Sequence, residues 1–89
     1  MPARILLVED DPLIIEALTE LLAQGGHSVE HAATQNAAIA AAVPAQGPCP
    51  FQLVLLDISL AQGNGFAVCA AIKQASPATP VIFLTNRNG

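Results

Sequence analysis

Runs of consecutive apolar side chains, rather than alternating ones, organise this sequence. Ile5-Leu6-Leu7-Val8 stops abruptly at Glu9-Asp10-Asp11, Leu53-Val54-Leu55-Leu56 stops at Asp57, and Val81-Ile82-Phe83-Leu84 stops at Thr85. Unbroken apolarity over so short a run predicts strands covered on both faces, as in a parallel sheet. Between the runs the period lengthens to that of a helix. Leu13, Ile14, Ala17, Leu18, Leu21 and Leu22 fall on one stripe, with Glu16, Thr19 and Glu20 opposite. Asp11 is placed to cap that helix, Pro12 suits its first position and Gly25-Gly26 ends it. A second strand is predicted over Ser28–Ala32, and Thr34 then caps an alanine-rich helix from Gln35 to about Val43. Pro44, Gly47, Pro48 and Pro50 impose a loop before a strand over Phe51–Leu56. Gly63-Asn64-Gly65 signals a turn, and a third helix through Phe66, Cys69 and Ile72 must stop before Pro77. The last strand is predicted over Pro80–Thr85.

Strands and helices therefore alternate with short connections. That order implies right-handed crossovers, a mostly parallel sheet and helices on both of its faces. With 89 residues there is room for one domain. Hydrophobic residues make up 53% of the chain and charged ones 11%, against about 25% charged in ordinary soluble domains. A disordered chain is excluded by that content, and an apolar surface is expected. No apolar run is long enough to span a membrane, and no segment at the N-terminus reads as a secretory signal. The net charge of −4, with Arg4, Lys73 and Arg87 as the only strong cations, argues against nucleic-acid binding. Cys49 and Cys69 have neither metal-ligand spacing nor a disulfide framework, and read as reduced thiols of a cytoplasmic protein.

In open α/β sheets the chemistry collects at the carboxyl ends of the strands. Here those ends carry Glu9, Asp10, Asp11 and Asp57, four of the seven acids in the chain. The plain reading of Asp11 is the helix cap. Thr85 by itself reads as a β-former at a strand end. Asp57, following four apolar residues, and the pair Glu9-Asp10 point instead to a site. If the first and third strands are neighbours, Glu9, Asp10 and Asp57 meet in one small volume. Packed carboxylates repel and need a cation. Hard oxygen donors with few other polar groups suit Mg²⁺, which would also offset repulsion against an incoming phosphoryl group.

Taken together, Ile5-Leu6-Leu7-Val8-Glu9-Asp10-Asp11-Pro12, Leu53-Val54-Leu55-Leu56-Asp57-Ile58-Ser59-Leu60, Gly65-Phe66 and Pro80-Val81-Ile82-Phe83-Leu84-Thr85 resemble the receiver domain of two-component response regulators. The resemblance implies a flavodoxin-like doubly wound parallel sheet, α/β in class, with strand order 2-1-3-4. It implies that Asp57 accepts a phosphoryl group from a sensor histidine kinase, a phosphotransfer protein or a small phosphodonor. Asp10 would hold Mg²⁺ directly, Glu9 through water and Ser59 through its main-chain carbonyl. Thr85 would bond the phosphoryl oxygen and move inward. Ser59 and Arg87 would flank the pocket and tune the lifetime of the acyl phosphate. Such a domain phosphorylates and dephosphorylates itself without turning over a separate substrate.

Some of the family's pattern has no counterpart. The sequence stops after the fourth strand, so the expectation is a receiver domain over residues 1–89 lacking the family's last helix, strand and helix, together with its phosphate-binding lysine. Lys73 lies too early in the chain to replace that lysine, and Arg87 reads as a surface charge or a surrogate. Val81–Leu84 then becomes an apolar edge strand, which natural proteins normally protect, so pairing with a second copy or a separate partner is expected there. The small, uncharged Ala67, Ala70 and Ala71 would leave little to repel it. A shortened receiver that dimerises or binds a kinase without switching is the alternative function. A metal-dependent phosphatase or phosphodiesterase fits less well, because such sites want a second acid where Ser59 stands, and a basic groove. His27 and His31 flank the second strand and are expected at the surface, neither placed as a phosphodonor.

Overall fold

The structure, a computed structural model, describes residues 2–84. Seven elements run in the order β1 (Arg4–Val8), α1 (Pro12–Gln24), β2 (Ser28–Ala32), α2 (Gln35–Ala42), β3 (Leu53–Asp57), α3 (Gly65–Ala75) and β4 (Val81–Leu84). All strand pairs are parallel and the sheet order is β2-β1-β3-β4, as the flavodoxin-like expectation requires. Each helix begins where its cap residue stands. The side chains of Asp11, Thr34 and Asn64 accept from the main-chain N–H groups of Leu13, Ala37 and Ala67 at 2.9, 3.1 and 2.8 Å, satisfying donors that the first turn leaves unpaired.

The unbroken apolar runs divide by alternation between two cores. Leu6, Val8, Val54 and Leu56 face α2 and α3, where Ala38, Ala42, Val68 and Ile72 complete a cluster that also takes in Phe51 and Leu60. Ile5, Leu7 and Leu55 face the other way, against Ile15, Leu18 and Leu22 of α1. The second core is thinner. No residue of α1 is fully buried, and Ile82 of β4 is 51% exposed.

Three boundaries and one stripe differ from the sequence pattern. The third strand starts at Leu53, two residues late, because Phe51 leaves the ladder to fill the α2–α3 core and the Gln52 N–H bonds the Arg4 carbonyl at 2.9 Å. α2 ends at Ala42, with Val43 as its cap. β4 spans Val81–Leu84; Pro80 precedes it, its carbonyl accepting from Val54, and Thr85 lies outside the described residues. In α1 the contacting stripe is Ile15, Leu18 and Leu22, whereas Leu13 and Leu21 are 76% and 62% exposed and Ala17 is exposed too. An apolar helix offers several stripes of similar hydrophobicity, and the crossover geometry selects among them. His27 is half-buried rather than at the surface, its Nδ1 accepting from the Ala3 N–H at 3.1 Å.

The two cysteines are free and half-buried, both packed against the larger core. Among the described residues no helix is long and apolar enough to cross a membrane. The burial pattern makes a direct contrast testable. Leu56→Ala, at a fully buried position, is expected to cost about 2–5 kcal/mol, and Leu13→Ala to stay within about 0.5 kcal/mol, both read by urea unfolding.

Candidate functional site: an acidic cluster at the strand ends

Register brings the acids together. Val8 of β1 lies opposite Leu56 of β3, so the residues that follow them, Glu9 and Asp57, emerge side by side at the carboxyl edge of the sheet. Both are buried, at 3% and 4% exposure, and Asp10 beside them is half-buried. One carboxylate oxygen from each of Glu9, Asp10 and Asp57 lies within 4.8 Å of the others. Asp11 stays out of the cluster and caps α1.

Main-chain donors hold the three in place. Glu9 Oε2 accepts from the N–H groups of Asp10 and Asp11 at 2.9 and 3.3 Å. Asp57 Oδ1 accepts from Ser59 N–H at 3.2 Å, and Asp10 Oδ2 from Ala61 N–H at 2.6 Å. Glu9 itself is tethered to the neighbouring strand, its N–H bonding the Ala32 carbonyl at 3.1 Å. His31 adds a further anchor. Its Nε2 lies 2.9 Å from the Glu9 carbonyl, and since a carbonyl only accepts, Nε2 must carry the hydrogen.

Burial raises the Glu9 carboxyl above its ordinary value of 4.5, and the charge and hydrogen bond of Asp57 add to the rise. The N–H bonds from Asp11 and Asp10 oppose it. No strong cation among the described residues answers this repulsion. Arg4 pairs with Glu30 at 3.7 Å, and Lys73 Nζ donates to the Thr79 and Pro77 carbonyls at 2.5 and 3.4 Å, beyond the end of α3. Three oxygen ligands converging without a cation form a donor set that fits a hard divalent ion.

The loop joining β3 to α3 closes over the cluster. Gly65 N–H bonds the Ile58 carbonyl at 2.9 Å, and a Cβ at Gly65 would collide with the Asp57 main-chain oxygen. Only glycine lets the start of α3 approach this closely. On the α1 side the carboxylates of Glu9 and Asp57 form one end of an otherwise apolar groove of about 570 Å³, walled by Ile14, Leu18, Phe83 and Leu84.

Of the residues singled out from the sequence, Glu9, Asp10 and Asp57 are thus brought together, with Ser59 beside them through its N–H. Thr85 and Arg87 lie outside the described residues. Sequence reading passed over Ala61, whose contribution is a main-chain N–H and leaves no side-chain signal. It also passed over the bond from His31 to Glu9.

A family model described as the response regulator receiver domain matches residues 5–89. The chain belongs to the receiver domain family. This receiver is 37% identical over 84 residues to the transcriptional regulatory protein TcrA of Mycobacterium tuberculosis, covering 94% of the chain and 32% of that protein. Among solved structures it is similar to the non-phosphorylated HemR receiver domain from Leptospira biflexa, with a TM-score of 0.81, 41% identity, and 97% and 66% of the two chains covered. It is similar also to the MaeR response regulator bound to beryllium trifluoride, with a TM-score of 0.77, 30% identity, and 97% and 69% covered. The receiver spans about a third or less of the length of the curated relatives it matches.

The raised Glu9 pKa sets a pH dependence. The folded state holds the Glu9 proton more tightly than the unfolded chain does, so in metal-free buffer stability is lost as pH rises above about 4.5. Glu9→Gln keeps the shape and removes that titration. Thermal unfolding between pH 4.5 and 7 with chelator present is expected to show a flatter pH profile for the variant than for the native chain.

Proposed function

We propose that this receiver takes part in two-component phosphorelay signalling by accepting a phosphoryl group on Asp57. What carries the reading is the meeting of Glu9, Asp10 and Asp57 within 4.8 Å at a strand edge with no strong cation beside them among the described residues. In the reaction a carboxylate oxygen of Asp57 forms the new P–O bond as the bond from phosphorus to the donor breaks. The donor is a phosphohistidine on a sensor histidine kinase or phosphotransfer protein, or a small acyl phosphate. Asp10 would hold Mg²⁺ directly, Glu9 through water and Ser59 through its carbonyl, with Asp57 completing the acidic set. When bound, the ion offsets the charge that accumulates as an anionic phosphoryl group meets three carboxylates. Ser59 N–H, aimed at Asp57 Oδ1 at 3.2 Å, keeps the nucleophile oriented. By resemblance to the family, Thr85 would bond the transferred phosphoryl oxygen and Arg87 would flank the pocket. The similarity to MaeR, a response regulator bound to beryllium trifluoride, supports a site of this kind.

A second reading is favoured by β4. It is the edge of the sheet among the described residues, and Ile82 is 51% exposed on it. In this reading the chain pairs with a second copy through Val81–Leu84 and works as a non-switching dimerisation or kinase-binding module.

Incubation with Mg²⁺ and acetyl phosphate separates the two. Intact mass is expected to rise by one phosphoryl group, with no gain for Asp57→Asn or with chelator present. No gain in the native chain would reject the first reading. Sedimentation velocity at micromolar concentration is expected to give a dimer if the second holds, and a stable monomer would reject pairing through β4.

A further inference from the structure

The acidic cluster is held by a loop, residues 58–64, that Leu60 anchors in the larger core while Ser59 and residues 61–64 are exposed. Ser59 and Asn64, near its two ends, form an isolated antiparallel bridge. That bridge ties the arm reaching Asp57 to the arm entering α3. Residues 61–64 are exposed, so something beyond burial must fix the far arm. The contact comes from the first residue of α2. Gln35 Oε1 accepts from Asn64 N–H at 3.1 Å, and Gln35 N–H donates to the Gln62 carbonyl at 3.0 Å. Between these bonds Gly63 adopts φ +95°, and a Cβ there would collide with the Gln35 side chain. The glutamine therefore lies flat across the turn, bonded on either side of it. Gln35 thus accepts from Asn64 N–H, and Asn64 lies opposite Ser59 in the bridge. The residues flanking that bridge are joined by the bond from Gly65 N–H to the Ile58 carbonyl at 2.9 Å, and Ser59 N–H bonds Asp57 Oδ1.

We propose that Gln35 is a positioning residue for this site: it clamps residues 62–64 and so keeps the N–H groups of Ser59 and Ala61 aimed at Asp57 and Asp10. The clamp acts at a distance, since Gln35 touches neither carboxylate. Its effect on ion binding rests on the proposed function, while its effect on the loop does not. A side chain that orients ligands from outside their first contacts tunes affinity because the ligands bind without first having to be ordered.

Two variants of the full chain separate a clamp from simple packing. Gln35→Leu keeps the bulk and loses the acceptor; Gln35→Glu keeps both the reach and the acceptor oxygen. Amide hydrogen exchange is followed without metal, and amide shifts are then followed through a Mg²⁺ titration at physiological ionic strength. In Gln35→Leu, exchange at Ser59 and Ala61 is expected to rise about three- to tenfold, the change that losing one hydrogen bond produces. Exchange at Ala38 within α2 stays as in the native chain. Mg²⁺ affinity is expected to fall about tenfold, the low end for partners outside the first shell of ligands. Gln35→Glu restores both. Faster exchange confined to Asn64 would overturn the proposal, as would a glutamate variant that behaves like the leucine one. If the native chain takes up no Mg²⁺, the ion-binding reading fails, and exchange at Ser59 and Ala61 still decides whether Gln35 holds the loop.

Discussion

Two buried carboxylates side by side at the edge of a parallel sheet are the constraint around which this molecule is arranged. Glu9 and Asp57 each follow a strand residue that is fully buried, and the register of those strands leaves them no route apart. In a low-dielectric setting such a pair is costly unless each oxygen has a donor or a cation. The chain supplies donors from its own backbone: the N–H groups of Asp10 and Asp11 for Glu9, and of Ser59 for Asp57. These bonds moderate the repulsion without removing it, and the Glu9 carboxyl stays above its ordinary value. A site under that tension favours any divalent cation that can enter it.

Everything near the cluster serves to keep those oxygens where they are. Gly65 allows α3 to begin almost on top of the Asp57 backbone. His31 and Ala32 fix the Glu9 main chain from the neighbouring strand. The loop after β3 brings Ala61 N–H to Asp10. Rigidity on this side contrasts with the thin cover on the α1 face, where no helix residue is fully buried and an apolar groove runs up to the carboxylates. The two faces of one sheet therefore have different tasks. The α2–α3 side holds the larger core, and the α1 side leaves a groove that ends at the buried acids.

Much of this was legible in the residues. Unbroken apolar runs identified β1, β3 and β4, because strands covered on both faces cannot carry polar side chains in their middles. Caps placed the starts of α1 and α2, since Asp11 and Thr34 each offer a side-chain oxygen to a first-turn N–H, whereas Asn64, legible only as part of a turn, proves to cap α3. The α1 stripe was not legible. With Leu13, Ile14, Ile15, Leu18, Leu21 and Leu22 all apolar, hydrophobicity alone does not choose a face, and the sheet selects Ile15, Leu18 and Leu22. Phe51 likewise reads as a strand residue, yet it fills the opposite core, because a large ring buries more apolar surface there than it would in the ladder.

The sequence by itself determined the kind of sheet, the order of elements and the acids that end its strands, because these follow from local periodicity and from the polarity of single positions. Tertiary structure decided which acids meet, since only the β1–β3 register sets Glu9 and Asp57 within reach while Asp11 turns away to cap a helix. It also decided what holds them, because the groups that do so are main-chain N–H donors, most of them near neighbours in sequence and one, Ala61 on Asp10, from a different part of the chain. Every residue type carries such a donor, so no side-chain pattern can announce where it will point.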